Sequence, residues 1–112
     1  VGAAEPNAWC LEYMVFRGLW MVTWLTTELF PDATPGDLEA LARPLPPGAD
    51  GLTCLPRWVA PVPTPFERGA FLGFTEVHGR GHLYRAVLEG ICFDLRRGLE
   101  RARNVNISMS VA

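Results

Sequence analysis

The 112-residue sequence predicts an α/β domain, with a mixed sheet packed by one long amphipathic helix. Three observations carry that expectation. Residues 69–75 alternate small and apolar side chains, as a buried strand does. Residues 78–103 switch to helical spacing, with Leu83, Val87, Ile91, Leu95 and Leu99 at every fourth position and Tyr84, Leu88 and Cys92 widening the stripe. Residues 105–111 return to apolar–polar alternation, the mark of a half-buried strand. A stripe this wide on a helix implies packing against a sheet. Arg85, Glu89, Arg96, Arg97, Glu100 and Arg101 fall mostly outside it and are expected to face water or a neighbouring domain.

In chain order, Pro6 and Asn7 form a turn or helix-start signal. Residues 9–30 read as helix, with Gly18 as a potential interruption; Met21, Leu25 and Leu29 make one row, Trp20 and Trp24 the next. Pro31 ends the run because it cannot continue the hydrogen-bond ladder. Thr34, Pro35 and Asp37 then open a short helix to about Ala42: a cap, a first-turn proline and an acid at the positive helix end. Pro44, Pro46, Pro47 and Gly48 form a stiff connector. Residues 51–58 read as a strand closed by Pro56, and Pro61, Pro63 and Pro65 make the following stretch a loop. The order is helix, helix, strand, strand, long helix, strand. A final strand at the C-terminus is an awkward end for a complete domain, so the 112 residues are expected to be an excerpt: a helical part over 1–50 and a strand-strand-helix-strand core over 51–112.

The bulk numbers exclude several classes. With 49% hydrophobic and 20% charged residues, the chain folds around a modest core and is not a disordered tail. A net charge of -2 gives no reason to expect nucleic acid or an anionic membrane as partner. Residues 13–27 are apolar, yet they fall short of the roughly twenty residues a span needs and contain Arg17 and Gly18, so they read as a core helix. No basic start followed by a small-residue cleavage site is present. Cys10, Cys54 and Cys92 are far apart and give neither a disulfide framework nor zinc spacing; they are expected to be reduced, buried thiols of a cytoplasmic protein.

The spelling of the central stretch goes further. Gly69, Phe71 and Gly73, then His82, Leu83, Ala86, Val87, Leu88 and Glu89, resemble the second signature of the FGGY carbohydrate kinases, in the manner of xylulokinase-type members. Phe74 departs, standing where that family usually has an aliphatic residue, and Pro61, Pro63 and Pro65 replace a more polar run. The resemblance implies part of the C-terminal domain of an actin-like ATPase, or ribonuclease H-like, fold. It implies a parent enzyme that transfers the γ-phosphate of ATP, with Mg²⁺, to a sugar or polyol hydroxyl. It also implies that the catalytic aspartate and both phosphate-binding loops lie outside these residues. No catalytic residue and no metal ligand is therefore assigned here, and the isolated chain is expected to be inactive and to bind no cofactor tightly. The family's nucleotide-facing helix has Gly18 and Thr23 as its counterparts, although Leu19 and Trp20 stand where glycines are common. Plain helix packing is an equal reading of Gly18 and Thr23.

Other candidates carry less. His78 and His82 are four apart but lack further ligands for a zinc site. Gly79, Arg80 and Gly81 resemble a phosphate-binding nest, but two glycines more simply shape a strand-to-helix connection. Asp94, His82 and Ser108 lack the spacing of a hydrolase triad. Glu67 and Arg68 read as a surface ion pair or loop anchor. A rival to the kinase reading is a non-catalytic structural or interaction domain derived from the same family. On either reading, an isolated half-domain exposes apolar surface, so a homo-oligomer or the missing remainder of a kinase is the expected partner.

Overall fold

The structure, a computed structural model, describes Gly2 and residues 5–105. Helix α1 spans Trp20–Trp24 and continues as a π-helical turn over Leu25–Leu29. Helix α2 covers Pro35–Ala42, a 3₁₀ turn Ala49–Gly51, strand β1 Thr53–Leu55, strand β2 Ala70–Leu72 and helix α3 Arg80–Asn104. The strands pair antiparallel, with Thr53 opposite Leu72, Cys54 opposite Phe71 and Leu55 opposite Ala70. The mixed sheet of the sequence reading therefore shows one hairpin among the described residues, and the strand expected over 105–111 lies outside them from residue 106 on.

The expected helix over 9–30 is corrected to its second half. Residues 10–15 have no regular structure, and Arg17 takes a left-handed φ of 60°, which stops a right-handed helix from propagating. The apolar run hid a period of two, Trp9, Leu11, Tyr13 and Val15, which no helix can bury on one side. The π turn has a local cause as well. The Thr26 hydroxyl donates to the Thr23 and Val22 carbonyls, at 2.9 and 3.2 Å, and the Phe30 N–H reaches back to Leu25 O at 2.9 Å. Helix α2 begins as expected, in a full capping box: Asp37 N–H donates to the Thr34 hydroxyl and Thr34 N–H donates to the Asp37 carboxylate. Those bonds hold the Asp37 carboxyl below its ordinary value.

The core forms where Met21, Leu25, Ala49, Leu52, Cys54, Ala86, Val87 and Ile91 meet, and a second cluster joins Leu38 and Ala42 of α2 to Tyr84 of α3. Burial in the first cluster pushes the Cys54 thiol up to about 12. Cys10 and Cys92 are exposed, which corrects the expectation of three buried thiols. The apolar stripe is corrected too. Residues at every fourth position drift about 40° per step around a helix, so a row of five ends about 160° from its start. Val87 and Ile91 are buried, while Leu95 and Leu99 are exposed; the buried face continues instead through Asp94, Gly98 and Ala102. No helix among the described residues is long and apolar enough to cross a membrane.

Candidate functional site

The signature residues converge on one place, the seam between the hairpin and the first half of α3. A run of four residues there is left-handed: Gly48, Ala49, Asp50 and Gly51 have φ of 91°, 47°, 51° and 90°. Side chains of α3 and its leading loop hold this turn. The Glu89 carboxylate accepts the Gly48 N–H at 3.0 and 3.1 Å. His78 Nδ1 accepts the Thr75 N–H at 2.8 Å, which leaves the proton on Nε2 to donate to the Asp50 carbonyl at 2.9 Å. His82 repeats the arrangement: Nδ1 accepts the Gly79 N–H at 3.0 Å, capping α3, and Nε2 donates to the Asp50 carboxylate at 3.0 Å. Both nitrogens of each imidazole are thus engaged, and among the described residues no three His, Cys, Asp or Glu side chains gather as a metal group.

The glycines of the motif answer to space. Gly73 has φ of 93°, and a Cβ on it would stand 2.5 Å from the Gly51 carbonyl oxygen. Gly69 lies under the Trp58 ring with no room for a Cβ, and Phe71 meets that ring edge-on at 5.8 Å between centroids. Gly81 and Gly90 of α3 touch the Leu41 and Cys54 carbonyls, where a Cβ would come to 2.7 and 2.5 Å. In the connection into α3 Gly81 is therefore closely packed while a Cβ on Gly79 would meet nothing within 4 Å, and Arg80 between them pairs with Asp32 at 2.7 Å and lies over the Phe30 ring. The signature is spelled by the demands of joining a hairpin to a helix.

A second polar cluster escaped the sequence reading. Arg57, just past β1, grips Asp94 of α3 with two guanidinium nitrogens at 2.8 and 2.6 Å and donates Nε–H to Glu67 at 2.8 Å. The Tyr13 hydroxyl donates to the same Asp94 at 3.3 Å. Asp94 is only 6% exposed, and its carboxylate holds the Arg57 guanidinium well above its already high ordinary value. Glu67 is indeed a loop anchor, while Arg68 donates to the Pro65 and Glu67 carbonyls. A signal for Asp94 existed in the sequence: it stands three residues after Ile91, on the apolar face of α3, where an acid requires a buried partner.

Gly18 and Thr23 sit in different surroundings. Gly18, in the turn before α1, lies against α3, where a Cβ would make only ordinary contacts with Val15 O at 3.5 Å and Ile91 Cγ2 at 3.9 Å. Packing does not require a glycine there. Thr23 is exposed on α1, as are Leu19 and Trp20, and the Arg17 guanidinium lies over the Trp20 ring at 5.2 Å. None of Gly18, Leu19, Trp20 and Thr23 carries a carboxylate of the kind that anchors Mg²⁺. Ser108 lies outside the described residues.

The model of the FGGY family of carbohydrate kinases, C-terminal domain, matches residues 5–110. The chain belongs to that family. Among relatives, an uncharacterized sugar kinase, YgcE, of Escherichia coli strain K12 is 28% identical over 102 residues, covering 82% of this chain and 21% of its own length. A glycerol kinase of Symbiobacterium thermophilum is 35% identical over 98 residues, covering 85% of this chain and 20% of its own. Among solved structures, xylulose kinase from Rhodospirillum rubrum superposes with a TM-score of 0.67 at 38% identity, over 74% of this chain and 17% of that one. The FGGY chain described here thus spans about a fifth of the length of the curated relatives it matches. These likenesses fit an actin-like ATPase fold, of which the described residues show a helix-rich part with a two-stranded sheet.

Proposed function

We propose that these residues are a portion of the C-terminal domain of an ATP-dependent carbohydrate kinase, one that transfers the γ-phosphate of ATP to a sugar or polyol hydroxyl. The observation that carries the reading is the family match over residues 5–110. Phosphoryl transfer depends on positioning and on charge stabilisation by Mg²⁺, and on this reading ATP and Mg²⁺ belong to the whole kinase in the cytoplasm. Residues 1–112 form one partial domain: 1–50 supplies the helical part, with Gly18 and Thr23 as its point of approach to the nucleotide, and 51–112 supplies the core that supports it. Relatives named for sugar, glycerol and xylulose leave the acceptor as a carbohydrate or polyol.

The proposal is tested in two ways. Purified alone, the chain is expected to release no ADP above background with ATP, Mg²⁺ and glycerol or D-xylulose; robust acceptor-dependent turnover would refute this. Substituted for the matching segment of the Rhodospirillum rubrum xylulose kinase, it is expected to leave a folded enzyme with measurable activity. A second reading, a non-catalytic structural or interaction domain, is favoured by one observation: Leu19 and Trp20 are 71% and 44% exposed where a nucleotide would need close approach. A chimaera that folds but is inert, and regains activity when Leu19 and Trp20 are both changed to glycine, would locate the difference there.

A further inference from the structure

Helix α2 covers one track along α3 and stops partway. The track starts at Gly81, which touches the Leu41 carbonyl, and runs through Tyr84, in the cluster of Leu38 and Ala42 against which Leu88 also packs. Helix α2 ends at Ala42, but the same side of α3 continues through Cys92, Leu95 and Leu99. Cys92 is exposed, Leu95 is 41% exposed and Leu99 49%. Leu88, Cys92, Leu95 and Leu99 are spaced by four, three and four residues, the a/d seam of a heptad, which fits a second helix. The charges beside the seam say which helix and which way it runs. Glu89 and Arg96 occupy the e positions on its solvent side, while the g positions, Ile91 and Gly98, are buried. A parallel partner would set e against the g face, which the core already occupies; an antiparallel partner sets e against e. A second α3 laid antiparallel therefore brings Glu89 of each copy beside Arg96 of the other. Glu89 already accepts from Arg85 and Gly48, and Arg96 donates to Glu100, so the cross pairs extend existing ion pairs.

We propose that this seam joins two copies of the chain across a two-fold axis, their α3 helices antiparallel, with Leu88 opposite Leu99 and Cys92 opposite Leu95 of the partner copy. The interface uses neither Gly18 nor Thr23, so it stands apart from the nucleotide reading. Cross-linking tests the register. Leu88→Cys and Leu99→Cys are made as separate chains, each with Cys10→Ser and Cys92→Ser, and oxidised alone and mixed. On a non-reducing gel the mixture is expected to give a disulfide-linked dimer of twice 12.4 kDa, and each variant alone a monomer. In this register two copies of residue 88, or of residue 99, lie about 16 Å apart along the axis, beyond the ~7 Å that a disulfide spans. Sedimentation equilibrium tests the side chains. Leu99→Arg is expected to weaken dimerisation about tenfold or more, because the seam would bury an unpaired charge, and to leave the melting temperature of dilute protein unchanged. Arg96→Glu, which sets Glu against Glu89 across the axis, is expected to weaken it about threefold. Trp9→Ser, at an exposed residue off the seam, is expected to leave it unchanged. A chain that stays monomeric up to about 100 μM, a dimer indifferent to Leu99→Arg, or either cysteine variant cross-linking with itself as readily as in the mixture would each overturn the proposal.

Discussion

A single carboxylate, Asp94, ties four parts of the chain together. It receives the Arg57 fork from the end of β1, the Tyr13 hydroxyl from the N-terminal segment and, through Arg57, the Glu67 anchor of the proline loop. Removing one member of a buried pair leaves the other charged and uncompensated, at a cost of about 3–5 kcal/mol. Arg57 and Asp94 side chains are 16% and 6% exposed, so their pair qualifies. Asp94→Ala is expected to lower the unfolding free energy by about 3 kcal/mol in urea denaturation. Replacing both partners, Arg57→Met with Asp94→Leu, is expected to recover most of that loss, since two apolar groups of similar volume need no solvation. A single-variant cost below about 1 kcal/mol, the range of exposed pairs, would show that the cluster does not hold these segments.

Helix α3 is the element on which the others are assembled, and glycines let them approach it. Gly81 admits the end of α2, Gly90 admits β1 and Gly98 admits the Tyr13 ring. In a solvent-exposed helix interior each glycine would cost about 1 kcal/mol relative to alanine; here the close contact outweighs that preference. Gly90→Ala would place a methyl 2.5 Å from the Cys54 carbonyl oxygen, a backbone atom rather than the end of a flexible side chain. It is expected to destabilise by about 1–3 kcal/mol, the range of overpacked cores. Gly36→Ala in α2 meets only the Thr34 hydroxyl at 3.7 Å and is expected to be neutral or stabilising. Thermal unfolding should therefore rank Gly36→Ala at or above the unmodified chain and Gly90→Ala below it; the reverse order would mean that propensity, not approach, sets the identity of Gly90.

At the scale of the molecule, apolar surface is left uncovered. Trp9 is 83% exposed and Phe93 60%, and Leu11, Met14, Phe16, Leu19, Leu95 and Leu99 are exposed as well. The radius of gyration is 16.6 Å, against about 13 Å for a compact domain of this length. Both are what the proposed partial domain would show. On that argument the isolated chain is expected to self-associate. Sedimentation velocity should give a mass rising with concentration above the 12.4 kDa of one chain. A constant monomer mass up to about 100 μM would show that these patches are too dispersed to form an interface.

Local chemistry made much of this protein legible. Thr34, Pro35 and Asp37 spelled the start of α2, and three alternate prolines spelled the loop between the strands. The spacing of glycines, His82 and Glu89 spelled the family, because the seam of hairpin and helix tolerates few alternatives. What sequence could not decide depended on approach between distant segments. The left-handed φ of Arg17 cut short an apolar run that looked helical throughout. The drift of a four-residue row carried Leu95 and Leu99 out of the core and turned Asp94 into it. The Arg57 partner of Asp94 is 37 residues away in the chain, and the Asp50 partner of His82 is 32 away. Periodicity records which face of an element is apolar; only the tertiary structure records what that face meets.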